Sequence, residues 1–87
     1  MILQYTEIPK DQRELIVRLL EDAHYVSYDS SSDSSHNGII CGRFKYVALW
    51  DDNHYVGYHN IEHQELDQAQ HLEYDNFVAL LKYKADS

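Results

Sequence analysis

The chain has 87 residues, of which 15 are acidic and seven are basic, so its formal charge at pH 7 is −8 with its histidines neutral. This length suits one domain, residues 1–87, and leaves no room for a second. The negative charge disfavours direct binding to nucleic acids or to anionic membranes, because both need a basic face on the protein.

We expect a cytoplasmic protein, in either the producing cell or an infected one. No apolar run approaches the roughly 18 residues that span a bilayer, and no basic segment followed by an apolar one opens the sequence. Cys41 is the single cysteine, which excludes an internal disulfide and suits a reducing compartment. It is predicted to be a small buried residue on a strand.

The first elements in chain order are a strand and a helix. The stretch Ile2–Ile8 is rich in β-branched and aromatic residues and ends at Pro9, which favours a strand that leads into a helix. Between Lys10 and Val26, apolar residues recur at three- and four-residue spacing, which predicts an amphipathic helix packed on a sheet. A short strand over residues 25–28 is expected next.

Residues 29–38 are predicted to form a mobile surface loop. They are rich in serine and aspartate and have almost nothing to bury. They also lack the ordered acidic spacing of a calcium-binding loop. The strand expected after this loop, residues 39–50, alternates its side chains so that Tyr46, Ala48 and Trp50 share one face.

A hairpin over residues 39–60 is expected to form the centre of the sheet, with its turn at residues 51–53. Two registers remain open. A two-residue turn places Tyr55 on the face of Trp50, whereas a three-residue turn places Tyr58 there. A slip of one residue exchanges the faces, so the two registers expose different side chains.

The final third is predicted to be helical from about Glu62, with a break near Tyr74 and a last helix over residues 76–84. Asp75 would cap that helix, and the two lysines at its end would complement its dipole. Together these elements predict an α+β fold, in which a small antiparallel sheet of three to four strands packs against an N-terminal and a C-terminal helix.

Three histidines near the hairpin suggest a metal site as an alternative. His54, His59 and His63 lie close in sequence and have acidic neighbours, but the segment lacks the HExxH arrangement of zinc proteases. The chain also has no strained nucleophile turn and no glycine-rich phosphate loop. We therefore expect a protein that is not an enzyme and needs no cofactor, with a small metal-binding or hydrolytic domain as the competing hypothesis.

The acids are segregated along the chain. No lysine or arginine occurs between Lys45 and Lys82, an interval with seven acids and several aromatic residues. Acids and aromatic side chains together favour docking on a basic partner. The predicted partner-binding residues are Trp50, Asp51, Asp52, Tyr55, Tyr58, Glu62, Glu65, Asp67, Glu73 and Asp75.

The predicted function is that of a small acidic inhibitor or decoy. It would occupy the basic, nucleic-acid-binding surface of a target protein, in the manner of phage anti-defence or anti-CRISPR proteins, and would not bind nucleic acid itself. The remaining alternative is a structural homo-oligomer, such as a homodimer in which the Tyr- and Trp-bearing face pairs with its own copy.

Overall fold

The computed structural model describes residues 1–27 and 35–86. The strands are β1 (Ile2–Glu7), β2 (Val26–Ser27), β3 (Tyr46–Trp50), β4 (His54–Tyr58) and β5 (Gln70–His71), and they form one sheet in the order β2-β4-β3-β1-β5. The helices are α1 (Arg13–Asp22), α2 (Ser35–Ile40) and α3 (Tyr74–Ala85). Within the described ranges, no helix is long and apolar enough to cross a membrane.

The α+β prediction is confirmed, but the sheet is mixed and has five strands. β3 pairs antiparallel with β1 and with β4, whereas β2 runs parallel to β4 and β5 runs parallel to β1. Parallel neighbours cannot be joined by a tight hairpin. The chain therefore reaches each sheet edge through a longer connection, and each edge strand has only two residues.

The predicted loop and central strand are placed differently in the structure. Residues 35–40 form α2, and β3 begins only at Tyr46. The rest of the predicted loop, residues 29–34, lies outside the described residues. After α2 the backbone turns at Gly42, whose φ of 86° is in the left-handed region that glycine favours. The central hairpin is therefore 46–58, shorter than the predicted 39–60.

Phe44 packs between α2 and the sheet, just before β3 begins. Its ring fills the space beside two glycines, Gly38 on α2 and Gly57 on β4. A Cβ atom added at Gly57 would lie 2.5 Å from a ring carbon of Phe44, and one added at Gly38 would overlap the same ring. We call these three residues the Phe44 slot. It ties α2 to the sheet, and its glycines are required for close approach.

The helix predicted over residues 10–26 is shorter at both ends. It begins at Arg13, after a turn in which the Gln12 N–H donates to the Pro9 carbonyl at 3.0 Å. It ends before His24, whose φ is 66°. The Tyr25 N–H then donates to the Leu20 carbonyl at 2.9 Å, which satisfies an otherwise unpaired helix end.

Each face of the sheet carries its own core. On one face, Val47, Leu49 and Tyr55 pack with the buried residues of the helices, including Leu20 and Phe77. The other face is covered by residues 59–69, which we call the crossover segment. On that face the buried residues are Ile2, Ala48, Tyr58 and Leu66. The central strand is consequently buried on both sides.

The predicted helix from Glu62 is wrong. The crossover segment contains one short 3₁₀ turn, Gln64–Leu66, and leads into β5. Helix α3 starts at Tyr74, where the sequence predicted a break, and has Glu73 as its N-cap residue rather than Asp75. The lysines at its end, Lys82 and Lys84, lie in its last turn as predicted.

Replacement of Gly57 by alanine tests the Phe44 slot. The added methyl group meets the Phe44 ring and its Cβ at 2.5–2.9 Å, and overpacking of this kind costs about 1–3 kcal/mol of unfolding free energy. Urea unfolding of Gly57→Ala, Phe44→Leu and the double variant measures the effect. The double variant should lose less than the sum of the two single losses, and simple additivity would contradict the slot.

Candidate partner-binding surface

The hairpin turn settles the register that the sequence left open. β3 and β4 are joined by the three residues 51–53, and Leu49 pairs with Tyr55 while Tyr46 pairs with Tyr58. Asn53 has a φ of 64°, and its N–H donates to the Trp50 carbonyl at 3.3 Å. This is the three-residue arrangement, in which the last turn residue is left-handed.

The turn displays its two aspartates to solvent. The side chains of Asp51 and Asp52 are 54% and 49% exposed. The Met1 ammonium group lies 3.3 Å from the Asp51 carboxylate, and the His54 Nδ1 lies 3.1 Å from that of Asp52. We call this edge of the molecule the turn end.

The seven predicted carboxylates are all exposed, but they do not form one row. Glu73 lines a groove together with Lys45, the residue before β3, so it lies at the opposite edge, which we call the groove end. Asp75 follows in the first turn of α3. The two ends are about 13 Å apart along β3. Glu62, Glu65 and Asp67 belong to the crossover segment between them.

The turn end gains two acids that the sequence did not single out. The Val26 N–H donates to the Asn53 carbonyl at 3.0 Å, which brings the end of α1 beside the turn. Glu21 and Asp22 are exposed there. Both acids precede the interval between Lys45 and Lys82, so they were not among the predicted partner-binding residues. Only the pairing of β2 with β4 reveals that they lie beside the turn.

Carboxylates of the described residues are not neutralised by basic side chains. Within residues 1–27 and 35–86, the ion pairs within 4.0 Å join acids to the Met1 ammonium or to a histidine, never to lysine or arginine. Glu14 and Arg18, which are spaced for a helix pair, do not form one either. The negative field of the turn end is therefore offset only in part, by the Met1 ammonium beside Asp51. The Lys84 ammonium lies 5.4 Å from the Tyr25 ring centroid, near the end of α1.

Two tyrosines predicted to contact a partner are buried instead. Tyr55 is 2% exposed and packs under the helices, and Tyr58 is 6% exposed and packs under the crossover segment. In this conformation neither ring is exposed to a partner, because one ring packs in each of the two cores. Their contact with a partner stays a prediction. Tyr83, near the end of α3, is by contrast 75% exposed.

Three of the predicted site residues, Trp50, Tyr58 and Glu65, are close to one another, and their contacts join the crossover segment to the sheet. The Tyr58 hydroxyl donates to the Glu65 carboxylate at 2.7 Å, which pins the crossover segment to the sheet. Burial, followed by the contact with Glu65, raises the pKa of Tyr58, and Trp50 opposes that shift. Half-buried Trp50 and exposed Glu65 also line a pocket of about 400 Å³ next to Met1.

Two of the three histidines of the metal hypothesis, His59 and His63, lie near one another, and the third does not join them. The ring centroids of His59 and His63 are 6.1 Å apart, and those of Tyr58 and His63 are 4.8 Å apart. His54 instead contacts Asp52 at the turn. Among the described residues, no group of three or more histidine, cysteine or carboxylate side chains is arranged to hold a metal ion.

Cys41 does not match its prediction. It lies just after α2 rather than on a strand, and it is exposed. Its thiol donates to the Gly38 carbonyl at 3.5 Å. The difference follows from the late start of β3, because a helix end leaves this side chain outside both cores.

A groove of about 770 Å³ opens at the groove end, where β1 ends and α1 and α3 begin. Three of the seven basic residues of the chain, Lys10, Arg13 and Lys45, line it, and Tyr74 supplies an aromatic wall. This cluster could not be predicted from the sequence. Lys45 is distant from the other two, and only the hydrogen bond from the Ile8 N–H to the Lys45 carbonyl, at 2.7 Å, brings them together.

Comparisons with protein-family models, with curated proteins and with solved structures found no match to this chain.

The Tyr58–Glu65 hydrogen bond is tested by Tyr58→Phe. A bond to a charged acceptor contributes about 1.5–3 kcal/mol, so the variant should unfold at a lower urea concentration. Tyr46→Phe is the matched control, because Tyr46 packs in the same core cluster and no hydrogen bond of its hydroxyl is found among the described residues. Equal losses in the two variants would show that the bond does not hold the crossover segment.

Alkaline pH tests the burial of the tyrosines. Burial, with a smaller effect of Glu21, raises the pKa of Tyr55 from 10.0 to about 12, and the pKa of Tyr58 is raised as well. Above pH 10 the unfolded chain loses these protons before the folded chain does, so the free energy of unfolding should fall as pH rises from 10 towards 12. Urea unfolding across this range measures it. Tyr55→Phe should make the fall less steep, and an unchanged slope in that variant would contradict the assignment.

Proposed function

We propose that the protein is a small, non-enzymatic, protein-binding inhibitor or decoy, and that it docks its acidic turn end on a basic surface of a nucleic-acid-processing partner. The observation that carries this proposal is the group of exposed carboxylates at the turn end, Glu21, Asp22, Asp51 and Asp52, none of which pairs with a lysine or arginine among the described residues. Such a surface is complementary to one that normally holds phosphates.

The distribution of charge favours one orientation of docking. Arg13 and Lys45 lie at the groove end, together with Lys10. A basic partner is therefore attracted to the turn end and less so to the opposite edge. Charge arranged in this way accelerates association and orients the encounter, more than it adds to the final affinity.

The sheet edges favour side-chain docking over strand addition. β2 and β5 have two residues each, so a partner strand would find few backbone groups to pair with. The turn end instead offers carboxylates beside the half-buried ring of Trp50. Aromatic side chains next to charges are frequent in binding hot spots.

The test begins with capture of a basic partner on the immobilised protein at low salt, followed by affinity measurements on the purified partner. In the turn-end variant, Glu21→Gln, Asp22→Asn, Asp51→Asn and Asp52→Asn are combined. Affinity should fall by about tenfold or more, since several charge contacts are removed together. The wild-type affinity should also weaken steeply with salt.

The matched control removes the same amount of charge elsewhere. It combines Glu62→Gln, Asp67→Asn, Glu73→Gln and Asp75→Asn, and it should bind nearly as well as the wild type. Equal losses in the two variants would mean that net charge alone governs binding. Failure to capture any basic partner would overturn the proposal altogether.

A further inference from the structure

We propose that the groove end is a second binding site, for a small aromatic phosphate monoester that carries free hydroxyl groups, such as a nucleoside monophosphate. The site lies across the molecule from the turn end and is independent of the function proposed above. One groove has three basic residues around it, Lys10, Arg13 and Lys45, although the chain has a formal charge of −8.

These three cationic groups are available to a ligand. No carboxylate lies within 4.0 Å of their nitrogens in the part of the chain that the structure describes. Lysine and arginine are the side chains that most often bind phosphate, arginine by paired hydrogen bonds and lysine as a point charge.

Hydrogen bonds fix the backbone of Lys45, and packing positions the guanidinium group of Arg13. The Ile8 N–H donates to the Lys45 carbonyl at 2.7 Å, and the Lys45 N–H donates to the Tyr58 carbonyl at 2.9 Å. The Arg13 guanidinium packs over Gly42, where an added Cβ would lie 2.7 Å from its Cζ atom. A half-buried arginine held in this way loses less side-chain entropy when it binds a ligand.

The rest of the groove suits an aromatic body. Its volume of about 770 Å³ is within the usual range of about 300–1,000 Å³ for small-molecule sites. Half-buried Tyr74 lines it, with the hydroxyl donating to the Gln12 Oε1 at 3.4 Å, and Pro9 and Leu72 add apolar surface. A planar ring stacks favourably against such a wall.

Two carboxylates narrow the class of ligand. Glu7 and Glu73 line the same groove and are exposed. They repel a ligand with many negative charges, such as a nucleic-acid strand, but they accept hydrogen bonds from hydroxyl groups. A ligand with one phosphate, an aromatic ring and free hydroxyl groups complements this groove. Its phosphate would bind the cations, its ring would stack on the apolar wall, and its hydroxyl groups would donate to the carboxylates.

The experiment titrates the full chain with adenosine monophosphate by calorimetry and maps the site from amide NMR shifts. Binding should shift amides around Lys10, Lys45 and Tyr74. Adenosine alone and inorganic phosphate alone should each bind more weakly, since each lacks half of the recognised chemistry.

Charge variants then locate the site. Lys10→Gln combined with Lys45→Gln should weaken binding by about tenfold. Arg18→Gln combined with Lys82→Gln removes the same charge from other surfaces and should leave the affinity unchanged. Both variants alter exposed side chains, and their melting temperatures verify that they fold.

Four results would overturn the proposal. They are the absence of binding, shifts that map away from the groove, an equal loss in the control variant, and inorganic phosphate or adenosine binding as tightly as adenosine monophosphate. None of these results affects the function proposed for the turn end, because that proposal is tested by the affinity of a protein partner and by substitutions of different residues.

Discussion

The register of the central hairpin determines where most other residues of the molecule lie. Side chains alternate between the faces of a strand, so a shift of one residue would move every side chain of β4 to the other core. The left-handed backbone of Asn53 closes a three-residue turn and sets that register. As a result, Tyr55 packs beneath the helices and Tyr58 meets the crossover segment, while the two aspartates of the turn stay in solvent.

The charged side chains are also distributed along the direction of β3, which runs from the groove end to the turn end. Asp51 and Asp52 lie in the turn at one end of the sheet, whereas the groove at the other end is lined by three basic residues together with Glu7 and Glu73. The two proposed sites therefore face in opposite directions. This separation lets one small domain present a negative surface and a partly positive groove without the two cancelling. It also gives the two proposed sites no described residue in common.

Part of this architecture could be predicted from local pattern. The first strand, the amphipathic character of α1 and the lysines at the end of α3 are properties of neighbouring residues, and the alternation of Tyr46, Ala48 and Trp50 is likewise local. The α+β class follows from these elements. The exposure of the acids could also be predicted, because carboxylates are rarely buried without a partner.

The rest of the architecture depends on contacts between residues that are distant in sequence. The sequence pattern did not show that the helices cover one face of the sheet and the crossover segment covers the other, so the burial of both Tyr55 and Tyr58 could not be predicted. The insertion of Phe44 between two glycines interrupts an apolar run that otherwise looks like a strand. The groove is assembled only when Lys45 pairs with Ile8, and Glu21 joins the turn only through β2.

The Phe44 slot has a consequence for how this sequence can change over time. Gly38, Phe44 and Gly57 belong to a helix, a connection and a strand, yet they share one small volume. A larger residue at either glycine position is tolerated only after the ring has been replaced by something smaller. The packing therefore couples the three positions, and a change at one of them is expected to require a change at another.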